Sequence, residues 1–328
     1  MGVHDSMKTN FVPEGKLSLT PQNYARTKSI DSLVKAMDEQ AILEGRAVLC
    51  DSHHNLHVEL GGFNGIIPAG ECVYSPFPIK DVAIISRVGK SVSFVITDIT
   101  ISERGEPFIL LSRAKAQKAC IEQYISTLKA GDIIDAKVTH LENFGCFVDI
   151  GCGVISLLSI DTMSVSRISH PKDRFYAGQS IKVVIKTPAD ETGRVTLSHK
   201  ELLGTWEENA ALFSVGETVS GPVRSIESYG VFIELAPNLA GLAEYKEGIS
   251  GGQLATVYIK SIIKEKMKIK LVIIDCISTD SVRPKSNYFI TEGHIDRWVY
   301  SPATSDRVIE SVFDNSDIEE KQSMQAIS

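Results

Sequence analysis

Short runs in which hydrophobic and polar residues alternate recur along the chain and predict β-strands. Residues 132–141 (DIIDAKVTHL) and 146–150 (CFVDI) form one such pair, with Gly145 placed where a strand must bend or bulge. Residues 180–187 and 194–198 flank the turn-rich sequence PADETG, as expected of a hairpin. About five strands within about 75 residues, with one long irregular connection, predict a small Greek-key barrel.

This strand pattern occurs twice. The sequence NFGCFVDIG at residues 143–151 matches SYGVFIELA at residues 228–236, an offset of 85 positions. The identical pairs at this offset are Gly131/Gly216, Val138/Val223, Glu142/Glu227, Gly145/Gly230 and Phe147/Phe232. Conservative pairs, among them Phe144/Tyr229 and Asp149/Glu234, lie between them. A register kept over about twenty positions indicates two copies of one structural unit.

A third, degenerate copy lies upstream, where NLHVELGGFNGIIP at residues 55–68 echoes GCFVDIGCGVISLLS. Aligning Glu59 with Asp149 places His54, Asn55 and His57 at the positions of Phe144, Gly145 and Phe147. Asn is plausible at the glycine position because it tolerates positive φ better than most residues. The first copy therefore keeps the strand pattern and loses the aromatic pair.

The second copy resembles the S1 motif, the RNA-binding OB-fold named after ribosomal protein S1. The matching parts are the opening strand after Gly131, the phrase FGCFVDIG, GQSIKVVI and DETGRVTLS. The resemblance covers residues 128–203 closely, whereas residues 213–275 match well at first and more loosely later, with a shortened middle connection. The chain as a whole resembles bacterial ribosomal protein S1-like proteins. This implies an all-β dominated fold of three tandem five-stranded OB-type barrels joined by short helices.

The predicted boundaries follow from these copies and from the segments between them. They are an N-terminal segment with a helix (SIDSLVKAMDEQ) at 1–40, a degenerate barrel at 41–116, a helical linker at 117–127, an RNA-binding barrel at 128–203, a helical linker at 204–212, a divergent barrel at 213–275 and an irregular acidic tail at 276–328. Tyr288, Phe289, Trp298 and Tyr300 predict that the tail docks on a barrel or a partner. We expect its end, SDIEEKQSMQAIS, to be disordered.

The resemblance places the rings of Phe144 and Phe147 on the RNA-binding face, and Tyr229 and Phe232 match them in the last barrel. Exposed rings bind single-stranded bases by stacking, at about 1–3 kcal/mol per base and with little sequence preference. The alternative is that these rings belong to the core. Val148 and Ile150 already supply that core face, which favours the surface interpretation.

The resemblance carries three further residues of the middle barrel. Asp190 and Arg194 match the acid and the arginine beside the family's aromatic platform; Arg194 would contact phosphate or stack on a base, or else form an ordinary hairpin salt bridge. Ser159 stands where the family usually has a histidine, and this departure implies modest affinity of the barrel alone. Glu244 takes the same position in the last barrel, which is unfavourable near phosphate.

For two sets of basic residues the sequence allows either RNA contact or an ordinary structural role. Lys264, Lys266, Lys268 and Lys270 alternate in KEKMKIKLV, and we expect all four to project from one face of an extended strand. They would track an RNA backbone or protect an edge strand from aggregation. The basic residues of the long connection, Arg167, His170, Lys172 and Arg174, would track RNA or be ordinary loop surface.

The net charge of −7 argues at first against a nucleic-acid partner. However, residues 276–328 hold nine acidic and five basic residues, while residues 128–204 hold nine of each and residues 213–275 seven of each. A neutral barrel can still present one basic face. The acidity of the tail therefore leaves the RNA interpretation intact.

The sequence gives little indication of metal binding, nucleotide binding or catalysis. The cluster His53, His54 and His57 lacks a nearby carboxylate or cysteine set in the sequence, the six cysteines contain no C-x-x-C pair, and the Gly-rich stretches lack a P-loop lysine. We therefore expect no metal, no cofactor, reduced cysteines and no catalysis.

The absence of an apolar run of about 20 residues or of a signal-peptide core predicts no membrane partner and a cytoplasmic location. The resulting interpretation is a monomeric, non-enzymatic protein that binds single-stranded RNA, by resemblance mRNA at the small ribosomal subunit. The alternatives are an RNA-turnover or regulatory factor away from the ribosome, and a protein-docking scaffold that uses the first barrel and the acidic tail.

Overall fold

The computed structural model describes residues 11–101, 105–190, 194–278 and 287–313. Within these residues the strands form three closed five-stranded barrels and one two-stranded sheet, which confirms the predicted fold. Barrel 1 contains β1 Leu43–Cys50, β2 Leu56–Leu60, β3 Phe63–Ile67, β4 Ser91–Ile101 and β5 Pro107–Ser112. Barrel 2 contains β6 Ile133–Glu142, β7 Gly145–Asp149, β8 Ile155–Ser159, β9 Ser180–Thr187 and β10 Thr196–Ser198. Barrel 3 contains β11 Thr218–Glu227, β12 Gly230–Ala236, β13 Leu239–Ala243, β14 Leu254–Ile263 and β15 Lys268–Ile277.

All three barrels share one strand order, in which the first strand pairs with the second and fourth and the third pairs in parallel with the fifth. The first strand carries a register shift at the same place in each copy, after Ala47, Val138 and Val223. A bulge bends its strand and increases the local twist, so this shift helps each sheet to close. Alternate side chains then fill the barrels, and Val148 and Ile150 are buried as expected.

The glycine of the repeated phrase is required by close packing. A Cβ atom on Gly145 would lie 2.5 Å from the carbonyl oxygen of Leu158, and one on Gly230 would lie 2.5 Å from that of Ala243. The expectation that Asn55 supplies a positive φ at this position in barrel 1 is wrong, because the left-handed residue there is His54, with φ of 61°.

Short helices precede barrel 1, lie between its third and fourth strands, and connect successive barrels. They are α1 Pro21–Thr27, α2 Ile30–Asp38, α3 Asp81–Ile85, α4 Arg113–Gln123 and α5 Trp206–Ala210. The predicted N-terminal helix is α2, and the side chain of Ser29 caps it by accepting a hydrogen bond from the Ser32 N–H. Helix α4 leads from barrel 1 to barrel 2, and α5 lies between barrels 2 and 3. No helix in the described part of the chain is long and apolar enough to cross a membrane.

The C-terminal tail docks on barrels 2 and 3. It contains β16 Arg297–Val299 and β17 Glu310–Val312, which pair as an antiparallel sheet and are called the tail hairpin below. Trp298 and Tyr300 are each 5% exposed within the barrel 3 core, and the Tyr300 backbone oxygen accepts from the Trp206 N–H at 3.0 Å. Trp298 and Tyr300 therefore dock on barrel 3, while Phe289 is 40% exposed and SDIEEKQSMQAIS lies outside the described residues.

The six cysteines are free thiols. Cys72, Cys120, Cys146 and Cys152 are buried, whereas Cys50 and Cys276 are partly exposed. The expectation of buried thiols therefore holds for four of the six positions.

Candidate nucleic-acid interface

The two rings of the repeated phrase lie outside the core of barrel 2. Phe144 lies in the tight turn between β6 and β7 and is 54% exposed, while Phe147 is half-buried on β7. Their ring centroids are 6.1 Å apart and their planes are at 88°. An edge-to-face pair of this kind presents one ring face and one ring edge to the same side, which suits contact with unstacked bases.

Barrel 3 reproduces this arrangement. Tyr229 is 67% exposed, Phe232 is half-buried, and their centroids are also 6.1 Å apart at 88°. The likeness follows from the hairpin register, in which Glu142 faces Gly145 and Glu227 faces Gly230. Two copies of one short sequence therefore build two aromatic platforms of equal geometry.

His140 is a member of the barrel 2 platform that the sequence analysis missed. Its exposed ring stacks on Phe147 with centroids 4.5 Å apart and planes at 15°. The contact arises because His140 and Phe147 are cross-strand partners on β6 and β7. The corresponding residue in barrel 3 is Ser225, the partner of Phe232, so that platform has two rings. A search for the residue opposite the second ring of the phrase would have found His140.

A groove of about 740 Å³ starts at the Phe147 ring and brings together three predicted residues: Phe147, Ser159 and Arg194. We call it the barrel 2 groove. Its other lining residues are Ile155, Ser156, Leu157, Asp161, Thr162, Lys186, Thr187, Val195, Thr196 and Leu197. Leu157 lies between Phe147 and Thr196 in the sheet and is 37% exposed, so the floor beside the ring is apolar. The lining offers apolar faces for bases together with cations and hydroxyls for the backbone.

Asp190 is not among the groove-lining residues and instead holds the backbone of Arg194. Its Oδ1 accepts a hydrogen bond from the Arg194 N–H at 2.9 Å, and its own N–H donates to the Arg194 carbonyl oxygen at 3.1 Å. The exposed side chain of Arg194 extends into the groove lining. Asp190 therefore fixes the backbone of Arg194, and the side chain of Arg194 lines the groove.

Ser159, at the usual histidine position, donates a hydrogen bond to Asp161. This bond, followed by the nearby charges of Lys186 and Lys200, lowers the pKa of Asp161. A carboxylate is thus fixed at this corner of the groove, with two lysines close enough to offset it. In barrel 3 the equivalent Glu244 is exposed.

The prediction that four lysines share one strand face is wrong. Strand β14 ends at Ile263, residues 264–267 form a turn, and β15 begins at Lys268. Lys264 and Lys266 therefore lie in the turn, and Lys264 Nζ is 3.9 Å from Glu207. Only Lys268 and Lys270 of the four project from β15, on either side of the buried Ile269.

The strand register gives Lys268 and Lys270 a more specific place. Lys270 pairs with Leu242, which is the neighbour of Phe232, just as Thr196 pairs with Leu157, the neighbour of Phe147. Two residues earlier, Lys268 takes the position of Arg194. The sequence comparison missed this equivalence because the shortened connection reduces the offset from 85 to 74 positions.

Arg174 in the long connection is neither an RNA contact nor loop surface, so both interpretations from the sequence are wrong for this residue. Its guanidinium is 3% exposed and donates to Glu234 of barrel 3 at 2.8 and 2.6 Å. His170 Nδ1 accepts from the Lys172 N–H at 3.0 Å and so caps a short turn. Arg167 and Lys172 are exposed.

Barrel 1 presents a different face at the same place. His57 Nε2 lies 3.3 Å from Asp51 and His54 Nδ1 lies 3.5 Å from Asp81, so carboxylates are near these histidines after all. No group of three or more His, Cys, Asp or Glu side chains arranged to hold a metal ion occurs in the described ranges. Leu49 is the cross-strand partner of His57, and Phe108 takes the Arg194 position; they are 53% and 46% exposed. This face is apolar where barrels 2 and 3 carry cations.

Comparison with known proteins gives a family match for the part of the chain that forms barrel 2. Residues 127–200 match the family described as S1 RNA binding domain. The small ribosomal subunit protein bS1 of Staphylococcus aureus (strain COL) is 28% identical over 275 residues, which cover 79% of this chain and 68% of the relative. The bS1 homolog of Bacillus subtilis (strain 168) is 29% identical over 274 residues, covering 82% and 68%.

Among solved structures, the crystal structure of a multidomain protein with nucleic acid binding domains from Streptococcus pneumoniae is 14% identical, with a TM-score of 0.24, and the match covers 72% of this chain and 74% of that one. Barrel 2 therefore matches the S1 RNA binding domain, barrels 1 and 3 share its strand order, and the chain is similar to bacterial bS1 proteins.

Proposed function

We propose that the chain binds single-stranded RNA with barrels 2 and 3 and that it acts in translation at the small ribosomal subunit. The observation that carries the RNA part is the pair of exposed aromatic platforms, each with ring centroids 6.1 Å apart at 88°. Stacking on such rings is tolerant of sequence because every base has a π-face. The small-subunit part is supported by the names of the relatives from Staphylococcus aureus and Bacillus subtilis.

In this mechanism each platform holds about two bases by stacking, and nearby cations neutralise phosphates. Arg194 and Lys186 serve barrel 2, and Lys268 and Lys270 serve barrel 3. One strand that engages both barrels gains avidity, because the second contact is intramolecular once the first has formed. The function is binding by a monomer, without a cofactor or catalysis.

A second candidate is protein docking through barrel 1. It is favoured by the exposed Leu49 and Phe108, which replace a stacking histidine and a cation of barrel 2.

Ribosome co-sedimentation with sequencing of the bound RNA separates a ribosomal role from an RNA-turnover or regulatory role away from the ribosome.

The direct test of RNA binding replaces each aromatic pair by alanine in the full chain. Phe144→Ala with Phe147→Ala should weaken binding of a uridylate oligomer by roughly 2–5 kcal/mol in that barrel, and Tyr229→Ala with Phe232→Ala by a similar amount. The fourfold variant should lose most binding, because avidity is lost as well. His54→Ala with His57→Ala is the matched control and should leave RNA affinity nearly unchanged.

Circular dichroism first establishes that each variant is folded. A folded fourfold variant that binds as well as the parent would exclude these rings as the platform. Loss of binding in the His54/His57 variant would instead assign RNA to barrel 1.

A further inference from the structure

The tail hairpin forms one wall of a second cavity that adjoins the barrel 2 groove. This cavity has a volume of about 330 Å³ and shares Thr162, Lys186 and Thr187 with the groove. Its remaining lining comes from barrel 2 and the tail hairpin: Ser198, Lys200, Glu201, Glu310, Ser311, Val312 and Phe313. The path that starts at Phe147 therefore continues beyond the matched domain, between barrel 2 and the tail.

The wall is fixed in position by long-range contacts. Ser311 Oγ donates to Glu201 at 2.7 Å, and the Phe313 N–H donates to the Asp296 carbonyl oxygen at 2.9 Å. Phe313 is 6% exposed in the barrel 3 core. A cavity with such walls is present before any ligand binds, so occupying it needs little reorganisation.

The acidic side chains that line this cavity are already engaged. Glu310 pairs with Arg297 at 2.9 and 2.6 Å. Glu201 is 1% exposed and accepts from Ser198 at 2.5 Å and from Ser311. The exposed Glu310 is therefore balanced by Arg297, and the oxygens of the buried Glu201 are held by two serine hydroxyls.

The ammonium groups of Lys186 and Lys200 form no hydrogen bond or ion pair with another described residue, whereas the Lys200 backbone oxygen accepts from Asn238 at 2.8 Å. Lys186 is exposed and Lys200 half-exposed. The Ser159 hydrogen bond and the charges of both lysines lower the pKa of Asp161, which lines the groove next to Thr162. The two lysines formally balance Asp161 and Glu201, and Arg194 in the groove adds one positive charge. Unpaired cations along a preformed path suit an anionic polymer rather than a neutral small molecule.

We infer that the cavity between barrel 2 and the tail hairpin is a phosphate subsite, in which Lys186 and Lys200 hold the backbone of the RNA strand whose bases stack on Phe147. This inference rests on the proposed RNA binding and adds the tail hairpin to the interface. It makes the tail a part of the binding surface, although the matched domain ends at residue 200.

The first test replaces both lysines, Lys186→Ala with Lys200→Ala, in the full chain and measures the affinity for uridylate oligomers. Two lost phosphate contacts should reduce affinity for an oligomer of about twelve nucleotides roughly 25-fold at about 0.1 M salt, and should reduce the slope of log K against log salt by about 1.4. An oligomer of about three nucleotides, which covers the platform alone, should bind both proteins equally. Lys115→Ala with Lys118→Ala removes two exposed lysines of α4 and is the charge-matched control. Arginine at both positions should retain binding.

The second test concerns the wall itself. Val312 lines the cavity and is 55% exposed, whereas Val308 on the same hairpin is 65% exposed and does not line it. Val312→Glu should weaken binding of the long oligomer several-fold, because the added carboxylate repels phosphate, while Val308→Glu should have no effect.

The outcomes separate this inference from the proposed function. If the aromatic variants lose RNA but the Lys186/Lys200 variant matches its charge control, the phosphate subsite is excluded and the platforms stand. An equal effect of Val308→Glu and Val312→Glu would likewise exclude the tail wall. If the aromatic variants bind as well as the parent, RNA binding by these platforms fails, and the subsite fails with it.

Discussion

Arg174 of barrel 2 forms a bidentate ion pair with Glu234 of barrel 3, at 2.8 and 2.6 Å, in a position where both side chains are buried. Arg224 donates to the same carboxylate at 2.7 and 3.2 Å and pairs with Asp173 at 3.0 Å. Glu234 is the acid of the repeated phrase. Its role is thus to join two barrels.

The matching acid of barrel 2 has a related role. Asp149 is 3% exposed and accepts from the Glu14 N–H at 2.7 Å, while Glu14 pairs with Arg113 at the end of barrel 1 at 2.6 Å. Both acids therefore bind a preceding part of the chain. The rings a few residues earlier, by contrast, lie at the surface. The Glu234 joint holds barrels 2 and 3, which carry the platforms, against each other, and the Asp149 joint holds barrel 2 against the N-terminal segment.

Glu234→Gln should destabilise the protein by about 3–5 kcal/mol, because it leaves buried guanidinium charge without its partner. Urea unfolding measures this loss. Glu122→Gln is the control: it breaks the exposed Lys118–Glu122 pair, whose atoms are 3.8 Å apart, and should cost under about 0.5 kcal/mol. Equal stability of the two variants would show that the barrel joint is not held by this ion pair.

Lys268→Ala with Lys270→Ala should weaken RNA binding about 5-fold per lost phosphate contact at about 0.1 M salt, because both lysines flank the Tyr229–Phe232 platform. Lys264→Ala with Lys266→Ala removes the same charge from the turn of the same hairpin and should have a smaller effect. Filter binding or fluorescence anisotropy compares the two. A larger effect of the turn lysines would contradict the equivalence of Lys268 with Arg194.

His199 should make the protein less stable in mild acid. It is fully buried, with Nδ1 donating to the Met163 carbonyl oxygen at 2.8 Å and Nε2 3.2 Å from the Tyr288 hydroxyl, and burial lowers its pKa to about 4. An unfolded histidine titrates near 6.5, so the unfolded chain binds the extra proton first as pH falls. Stability from this group is complete above about pH 6.5 and falls by about 3 kcal/mol on the way to pH 4.

Unfolding measured across this pH range checks the assignment. His199→Gln should flatten the decline between about pH 6.5 and 4, and His140→Gln, at an exposed ring, should leave it unchanged. An unchanged slope in the His199 variant would assign the acid sensitivity to another group.

Purified protein should leave single-stranded RNA intact over hours, with or without magnesium. The physical reason is that the interface offers rings, cations and hydroxyls for binding, and the proposed function needs no bond to break. Gel analysis of labelled RNA measures this. Cleavage that a single side-chain substitution abolishes would identify a catalytic site and contradict the binding-only proposal.

Local sequence was sufficient to predict the three barrels and the position of the ring pairs. The repeated phrase sets a tight hairpin, and the hairpin fixes which side chains leave the core, so Phe144, Phe147, Tyr229 and Phe232 could be assigned from neighbours within a few residues. The N-terminal helix expected in SIDSLVKAMDEQ is likewise a local feature, and the structure shows that Ser29 caps it.

Tertiary structure alone decided the features that depend on residues far apart in the chain. The stacking of His140 on Phe147 depends on strand register across a bulge, and Lys268 is matched to Arg194 only by the pairing of Lys270 with Leu242. The sequence offered Arg174 as an RNA contact or as loop surface, because nothing local marks its partner, which is 60 positions away. By itself, then, the sequence determined the barrels and the rings, since short-range geometry fixes them. The contacts between barrels and with the tail hairpin were decided by the fold, since only packing brings those side chains together.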